Sequence, residues 1–146
     1  MGGVWSIWCR LVDERPFTVL FFMYMPVWVY EGMWYGRWLE TLLLFLISLG
    51  LSFILAVVLK LLFKDRRGKE IKNVMDYRRP SAHSLIATTL TTVASLNDYI
   101  LAIPLGIITI LALYSRVWIG AHNKRDVVEG ALSGLVLGIV IWFLFP

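Results

Sequence analysis

The side chains able to perform nucleophilic and acid–base chemistry are concentrated in three short polar runs, Lys72–Pro80, Pro80–His83 and Ser115–Asp126. The second and third runs hold the only two histidines of the chain. The rest is strongly apolar, since 59% of the 146 residues are hydrophobic and only 16% are charged. Soluble domains carry about 25% charged residues, and charged groups inside a membrane are costly. Their concentration therefore predicts a phosphate-handling site at a membrane surface.

Positive charges and a helix N-terminus supply the means to bind an oxyanion. Three cations are available for this purpose: Lys72, Arg79 and Arg116. The planar guanidinium of arginine matches the oxygens of a phosphate group. Ser81 lies at the predicted start of a helix, so the backbone N–H groups of Ala82 and His83 point out of the helix N-terminus and favour an anion there.

The histidines and one aspartate supply the reactive groups. His122 and Asp126 are four residues apart, and they share one face if a helix begins near His122. The carboxylate then holds one ring nitrogen protonated and leaves the other free to attack. His83 lies on a different segment and can donate a proton to a departing oxygen.

Each of these residues also has a simpler interpretation. Lys72 is typical of a cation at a lipid surface, and Arg116 of an anchor at the end of an apolar span. A His–Asp pair one turn apart is commonly a structural hydrogen bond. Their joint occurrence, at junctions predicted to lie on one membrane face, favours an active site.

Five apolar segments, separated by polar turns, must position these residues. A helix of about 20 apolar residues crosses a bilayer core, and four segments meet or nearly meet that length. The segments are residues 17–34, 41–63, 81–96, 99–114 and 126–145. The third is short and rich in Ser and Thr, which a helix tolerates in a membrane bundle by bonding its hydroxyls to backbone.

The predicted architecture is a single domain over residues 1–146, an all-α integral-membrane bundle. It has about five transmembrane helices, and a four-helix core carries the site. Residues 1–16 are expected to be an interfacial lead-in, because Trp5 and Trp8 suit the headgroup level. The single cysteine, Cys9, excludes an internal disulfide and a cysteine-based metal cluster.

Three glycines recur at four-residue spacing along the last segment: Gly130, Gly134 and Gly138. Small residues at this spacing let helix backbones approach closely in lipid. The glycine face predicts either packing inside the monomer, which we favour, or a homodimer.

Taken in order, the three runs resemble the three-part signature of the type 2 phosphatidic acid phosphatase (PAP2) superfamily. The matching patterns are Lys72-x6-Arg79-Pro80, Pro80-Ser81-Ala82-His83 and Ser115-Arg116-x5-His122-x3-Asp126. That superfamily also includes bacterial lipid phosphatases, glucose-6-phosphatase and vanadium haloperoxidases. The resemblance covers about residues 72–126 and extends to the flanking helices. Many relatives have six spans, and this chain shows five.

A second departure from the signature is Ala82, where the family usually has glycine. Alanine has a cost if the backbone there needs unusual torsions, and it is harmless if the residue is simply helical. We expect the helical case.

The resemblance implies an integral-membrane phosphatase that acts on a lipid phosphate or diphosphate. His122 is then the nucleophile that forms a phosphohistidine, Asp126 is its partner, and His83 protonates the leaving group. The implied phosphate ligands are Lys72, Arg79, Ser81, Ala82 and Arg116. No metal ion or other cofactor is implied. The expected partners are the bilayer and a lipid such as a polyprenyl diphosphate, phosphatidate or phosphatidylglycerophosphate, with no nucleic acid.

Three alternative functions stay open. A phosphotransferase would use the same site and pass the phosphoryl group to another lipid instead of water. A vanadate haloperoxidase would use the same oxyanion site, although the transmembrane character argues against it. A non-catalytic membrane scaffold or lipid-binding protein is expected to have lost a catalytic residue, and none is lost here.

Charge distribution bears on which membrane face carries the site. Nine cations outside the motif set lie in segments predicted on the catalytic side, whereas Arg37 alone lies on the other: Arg10, Arg15, Lys64, Arg66, Arg67, Lys69, Arg78, Lys124 and Arg125. Positive loops stay cytoplasmic, which predicts a cytoplasm-facing site in a multi-pass protein. The family usually works on the outer or lumenal face, and the extra cations could instead attract an anionic substrate surface.

Overall fold

The computed structural model describes residues 3, 4, 7, 16–63 and 79–145, with side chains of the first helix described from Leu20 onward. Most of the predicted lead-in and the whole of residues 64–78, which include Lys72, lie outside the described residues. The described ranges from residue 16 onward contain five helices in order: α1 (Pro16–Trp34), α2 (Trp38–Phe63), α3 (Ala82–Asn97), α4 (Ala102–Trp118) and α5 (Lys124–Leu144). A 3-10 turn, Tyr99–Leu101, precedes α4. Within the described ranges there is no strand, and the all-α prediction is confirmed.

Among the described residues, three stretches are long and apolar enough to cross a membrane: Trp38–Phe63, Tyr99–Trp118 and Lys124–Leu144. They support the assignment of the chain as a membrane protein. The segment boundaries differ from prediction mainly at α4, which continues past residue 114 to Trp118. The prediction stopped at the first polar residues, but Ser115 and Arg116 are helical and buried.

The short third helix lies at the centre of the bundle. α3 contacts each of the other four helices, and Leu85, Leu90 and Val93 are fully buried. Its 16 residues rise about 24 Å. Because neighbouring helices cover it, its hydroxyls need partners inside the protein, and Thr89 Oγ1 donates to the Leu85 carbonyl oxygen at 2.9 Å. The composition rich in Ser and Thr, which made this segment a borderline membrane span, is therefore that of the helix at the centre of the bundle.

The glycine face of α5 packs against α3 within the same chain. A Cβ on Gly130 would collide with the Ser81 carbonyl oxygen. A Cβ on Gly134 would collide with the Leu85 carbonyl oxygen. Of the two interpretations of this face, packing inside the monomer is the one seen here, and a second copy would have to displace α3 to use these glycines.

A buried cluster of hydroxyls joins α1, α3 and α4. The Tyr24 hydroxyl lies 2.6 Å from Thr109 Oγ1, and Thr91 Oγ1 lies 2.6 Å from the same Thr109 oxygen. Tyr24 is completely buried and Thr109 nearly so. Hydroxyls that bond to one another satisfy the requirement that buried polar groups have partners.

The turn between α1 and α2 lies at the end of the bundle away from the polar runs. Gly36 has a φ of +69°, where a residue with Cβ is strained, and the Arg37 N–H donates to the Gly32 carbonyl at 2.7 Å. This is the glycine-terminated helix end that closes many helices. The Tyr35 hydroxyl donates to Asp98 Oδ2 at 3.1 Å, and this bond to the carboxylate raises the pKa of Tyr35. The turn is thereby connected to the end of α3.

Candidate active site

Ser81 begins the site as the N-cap of α3. The Ser84 N–H donates to Ser81 Oγ at 3.5 Å, and Ser81 is completely buried. Ala82 and His83 are the first two residues of the helix, where backbone N–H groups have no partner within the helix. Ala82 is therefore ordinarily helical, the case in which alanine in place of glycine is harmless.

Arg116 and His122 are joined by the turn that ends α4. Gly120, with a φ of +69°, reverses the chain after the helix. The His122 N–H then donates to the Arg116 carbonyl oxygen at 3.1 Å. Arg116 is 2% exposed and His122 is 4% exposed. The turn thus holds the backbones of two buried residues, Arg116 and His122, together at the end of α4.

His122 lies just outside α5, so it does not share a helix face with Asp126, which was the arrangement expected if the helix included His122. The N-cap of α5 is Asn123 and the first helical residue is Lys124. Asp126 Oδ2 accepts the Asn123 N–H at 2.9 Å and lies 3.9 Å from His122 Nδ1. The pair therefore meets across the N-cap and not along one helix face, at a distance longer than a direct hydrogen bond. Hydrogen bonds of catalytic groups are often long before substrate binds.

A backbone hydrogen bond joins the starts of α3 and α5. The Ser81 N–H donates to the Asp126 carbonyl oxygen at 3.0 Å. Gly130, one turn further along α5, permits this close approach because its missing side chain leaves room for the Ser81 carbonyl. The helix N-terminus that begins at Ser81 is therefore adjacent to the His122–Asp126 pair.

Arg79 occupies the space between the end of α2 and α5. Its Nε lies 3.7 Å from Asp126 Oδ1 and donates to Glu129 Oε2 at 2.9 Å, and its Nη2 donates to Glu129 Oε1. Its Cζ lies 5.7 Å from the centre of the Phe63 ring, a distance typical of a cation–π contact. One edge of the guanidinium is thus held by a carboxylate that fixes its orientation.

Glu129 is a residue that the sequence prediction missed. It lies one turn after Asp126, and Arg125 Nε also donates to its Oε1 at 2.9 Å. The available signals were an acidic residue inside an apolar segment and the spacing of Arg125 and Glu129, which suits a helical ion pair. Neither signal points to Arg79, whose place depends on the fold.

The structure brings most of the predicted site residues to one end of the bundle. Contacts between their elements join Arg79, Ser81, Arg116, His122 and Asp126. His83 follows in the first turn of α3 and is half-buried. Lys72 lies outside the described residues. In the described part of the chain no group of three or more His, Cys, Asp and Glu side chains is arranged to hold a metal ion.

The burial of these charges has an electrostatic consequence. Arg116 and Asp126 are each 2% exposed. Charges removed from water interact more strongly with one another and with a bound anion, and they are retained in membrane proteins mainly for function.

Comparison of this chain with protein-family models, curated proteins and solved structures gave no match.

Proposed function

We propose that this chain is an integral-membrane phosphatase that removes the terminal phosphate from a lipid phosphate or diphosphate. The observation that carries the proposal is the joining of Ser81, Arg116, His122 and Asp126 at one end of an apolar bundle. A nucleophile, a carboxylate, a cation and a helix N-terminus are the parts that a phosphoryl-transfer site needs.

The proposed reaction has two in-line steps. His122 Nδ1 faces Asp126, so Nε2 is the nitrogen that attacks phosphorus. A P–N bond forms, the P–O bond to the lipid breaks, and His83 gives a proton to the departing oxygen. In the second step water attacks the phosphohistidine, the P–N bond breaks, and His83 accepts the proton from water.

The charge of the phosphoryl group is balanced by fixed positive groups. Arg116 and the N–H groups of the first turn of α3 bind the nonbridging oxygens, where negative charge grows in the transition state. Arg79, which Glu129 orients, is the second guanidinium of the site, and the resemblance adds Lys72. In this mechanism cations of the chain supply the stabilisation that a metal ion supplies in other phosphatases.

An apolar groove on the side of the bundle supports a lipid substrate. It lies between α2 and α5 and has a volume of about 440 Å³. Its lining is aliphatic apart from one serine: Leu55, Leu59, Leu132, Ser133, Val136, Leu137 and Val140. The Ser133 hydroxyl donates to the Glu129 carbonyl oxygen at 2.8 Å, so the groove begins one turn from the residue that holds Arg79. A lipid chain can lie there while its phosphate reaches the site.

The test is release of phosphate by purified protein in detergent. The panel contains a polyprenyl diphosphate, phosphatidate and phosphatidylglycerophosphate, and the lipid products are identified so that hydrolysis is separated from transfer to another lipid. We expect phosphate release that a chelator leaves unchanged and that orthovanadate inhibits competitively. Activity that disappears with a chelator and returns with magnesium would contradict the mechanism, and transfer without release would show a phosphotransferase.

A further inference from the structure

A cavity of about 370 Å³ lies at the end of the bundle opposite the proposed active site. Its walls come from the ends of four helices: Glu31 in the last turn of α1, the first three turns of α2, Asn97 at the end of α3 and Phe145 at the end of α5. Arg37 of the α1–α2 turn also lines it. A volume of this size is in the range of small-ligand sites, and the phosphatase mechanism makes no use of it.

Glu31 is the buried acidic residue of this cavity. It is 7% exposed, and its Oε2 atom is buried without a hydrogen-bond partner among the described residues. A buried polar group without a partner costs about 1–3 kcal/mol, and a charged group costs more. A carboxylate oxygen can only accept hydrogen bonds. A ligand that brings an N–H donor into the cavity would therefore remove this cost.

The charged residues that line the cavity favour a cationic group beside Glu31. Arg37 lies at the rim, where its Nε is 4.0 Å from Glu40 Oε2 and both side chains are exposed. The rim cation therefore already has a carboxylate of its own. Asp98, which follows Asn97 of the cavity wall and accepts the Tyr35 hydroxyl, adds another carboxylate at this end. Among the described residues that line the cavity, carboxylates thus outnumber cations.

Exposed aromatic side chains place the cavity at the level of lipid headgroups. Trp34, Tyr35 and Trp38 surround the α1–α2 turn and are all more than half exposed, and Trp and Tyr are enriched at membrane–water interfaces. The cavity lies where one apolar span begins, α2, and another ends, α5. Leu43 and Phe145 line it and are also exposed. A ligand can therefore have its polar group in the cavity and a hydrocarbon chain along the apolar surface of the bundle.

We propose that this cavity binds a phospholipid whose headgroup carries a primary ammonium, such as phosphatidylethanolamine. The ammonium donates a hydrogen bond to Glu31 Oε2, and an acyl chain lies along the apolar surface beside Leu43. The quaternary ammonium of phosphatidylcholine has no N–H group and leaves the carboxylate without a donor. The binding is noncovalent, and it does not depend on the proposed phosphatase activity, because the residues concerned lie at the other end of the bundle.

Native mass spectrometry of the purified protein in detergent tests the inference, with phosphatidylethanolamine and phosphatidylcholine of identical acyl chains as the probes. We expect the wild type to bind phosphatidylethanolamine at least about tenfold more tightly, because a charge-assisted hydrogen bond distinguishes the two lipids. Glu31→Gln should bring the ratio of the two affinities close to one. Glu40→Gln is the matched control: it removes the same charge from the exposed rim, where an ion pair contributes little, and should change the ratio by less than about twofold.

A change in the lipid makes the same comparison if Glu31→Gln does not fold. N-acetyl-phosphatidylethanolamine lacks the ammonium, and the wild type should bind it no better than phosphatidylcholine. Equal binding of phosphatidylethanolamine and phosphatidylcholine by the wild type overturns the proposal, and so does a preference that persists in Glu31→Gln. Displacement of the lipid by an equal concentration of soluble phosphoethanolamine would show a site for a water-soluble amine and overturn the lipid assignment. None of these results depends on whether the protein releases phosphate.

Discussion

At the scale of single residues, the site depends on how His122 is held. Its backbone N–H is bonded to the end of α4, and its ring lies near a carboxylate at the start of α5. The imidazole is therefore fixed by two helices without belonging to either. A ring held by both helices meets a substrate from a defined direction, which the proposed nucleophilic role requires.

Replacement of His83 by alanine should have an effect that depends on the leaving group. Protonation by a general acid contributes about 10²–10⁴-fold when the leaving group is a poor one, such as a lipid alcohol. His83→Ala should therefore slow hydrolysis of phosphatidate strongly and that of an aryl phosphate much less. The measurement is kcat for the two substrates with the wild type and the variant. An equal loss on both substrates would show that His83 is not the acid.

Removal of the Glu129 carboxylate should weaken the site through Arg79. Glu129→Gln leaves the guanidinium without the ion pair that orients it. We expect kcat/KM to fall by about tenfold, in line with the loss of about 1.4 kcal/mol from a partly buried ion pair. Arg125→Gln is the control, because Arg125 is exposed and contacts the same carboxylate from outside. If both variants lose activity equally, the effect does not pass through Arg79.

The sequence predicted which site residues are close neighbours in the chain, but it did not predict the contacts between distant segments. The spacing within each run predicted the local neighbours, since Arg116, His122 and Asp126 are within ten residues and meet through one turn. It did not predict that Asn123 caps α5, which puts His122 outside the helix. Glu129 was missed because its contact with Arg79 comes from packing between distant segments, and residue type and local spacing do not reveal such contacts.

At the scale of helices, α3 determines the geometry of the site. It is short, polar and buried by its four neighbours, and the Ser81–Asp126 hydrogen bond joins its N-terminus to the first turn of α5. The glycine face of α5 permits this approach. The packing of α5 against α3 therefore also positions Ser81 beside Asp126 in the site.

Substitution of Gly134 should show this dependence. A Cβ there would collide with the Leu85 carbonyl oxygen and lie 3.1 Å from Thr88 Cβ, so α5 must move away from α3. We expect Gly134→Ala to reduce stability by about 1–3 kcal/mol, the usual cost of overpacking, and to lower phosphatase activity. The measurement is thermal unfolding in detergent together with phosphate release.

Gly106→Ala is the matched control for this substitution. Gly106 lies inside α4, and a Cβ there meets nothing within 4 Å. Its replacement by alanine should leave both stability and activity at or above the wild-type level, because alanine is the better helix former. A Gly134→Ala variant as stable and active as the control would contradict the account of the α3–α5 contact.

Hydropathy predicted the helices well and their ends less well. Existence and order of all five helices agree with the prediction, because long apolar runs between polar turns leave few alternatives in lipid. The ends of α4 and α5 were misplaced because Ser115, Arg116, Lys124 and Arg125 are polar yet helical. The choice between a dimer and an internal role for the glycines required the position of α3, which no local pattern contains.

At the scale of the whole molecule, the bundle carries the proposed site at one end. The described parts of the polar runs, residues 79–83 and 115–126, meet where α2, α4 and the starts of α3 and α5 come together. The opposite end carries the α1–α2 turn with Arg37 and the Asp98 region at the end of α3. The excess of cations that the sequence predicts on the side of the proposed site predicts that this end faces the cytoplasm.

Cysteine labelling tests this orientation. In a Cys9→Ser background, a single cysteine introduced by Arg67→Cys should resist a membrane-impermeant thiol reagent in intact cells and react after lysis. A single cysteine introduced by Arg37→Cys should behave in the opposite way and serves as the control. Ready labelling of the Arg67→Cys variant in intact cells would place the site outside, and the cations would then serve to attract an anionic substrate.

The central claim is that His122 becomes covalently phosphorylated during turnover of a lipid phosphate. The direct measurement is rapid acid-free quenching of purified protein mixed with a substrate labelled in its terminal phosphate, followed by peptide mapping of the label. We expect an acid-labile phosphoramidate on His122 in the wild type, and neither label nor phosphate release in His122→Ala. Phosphate release that persists in His122→Ala, or label that resides on another residue, would contradict the account.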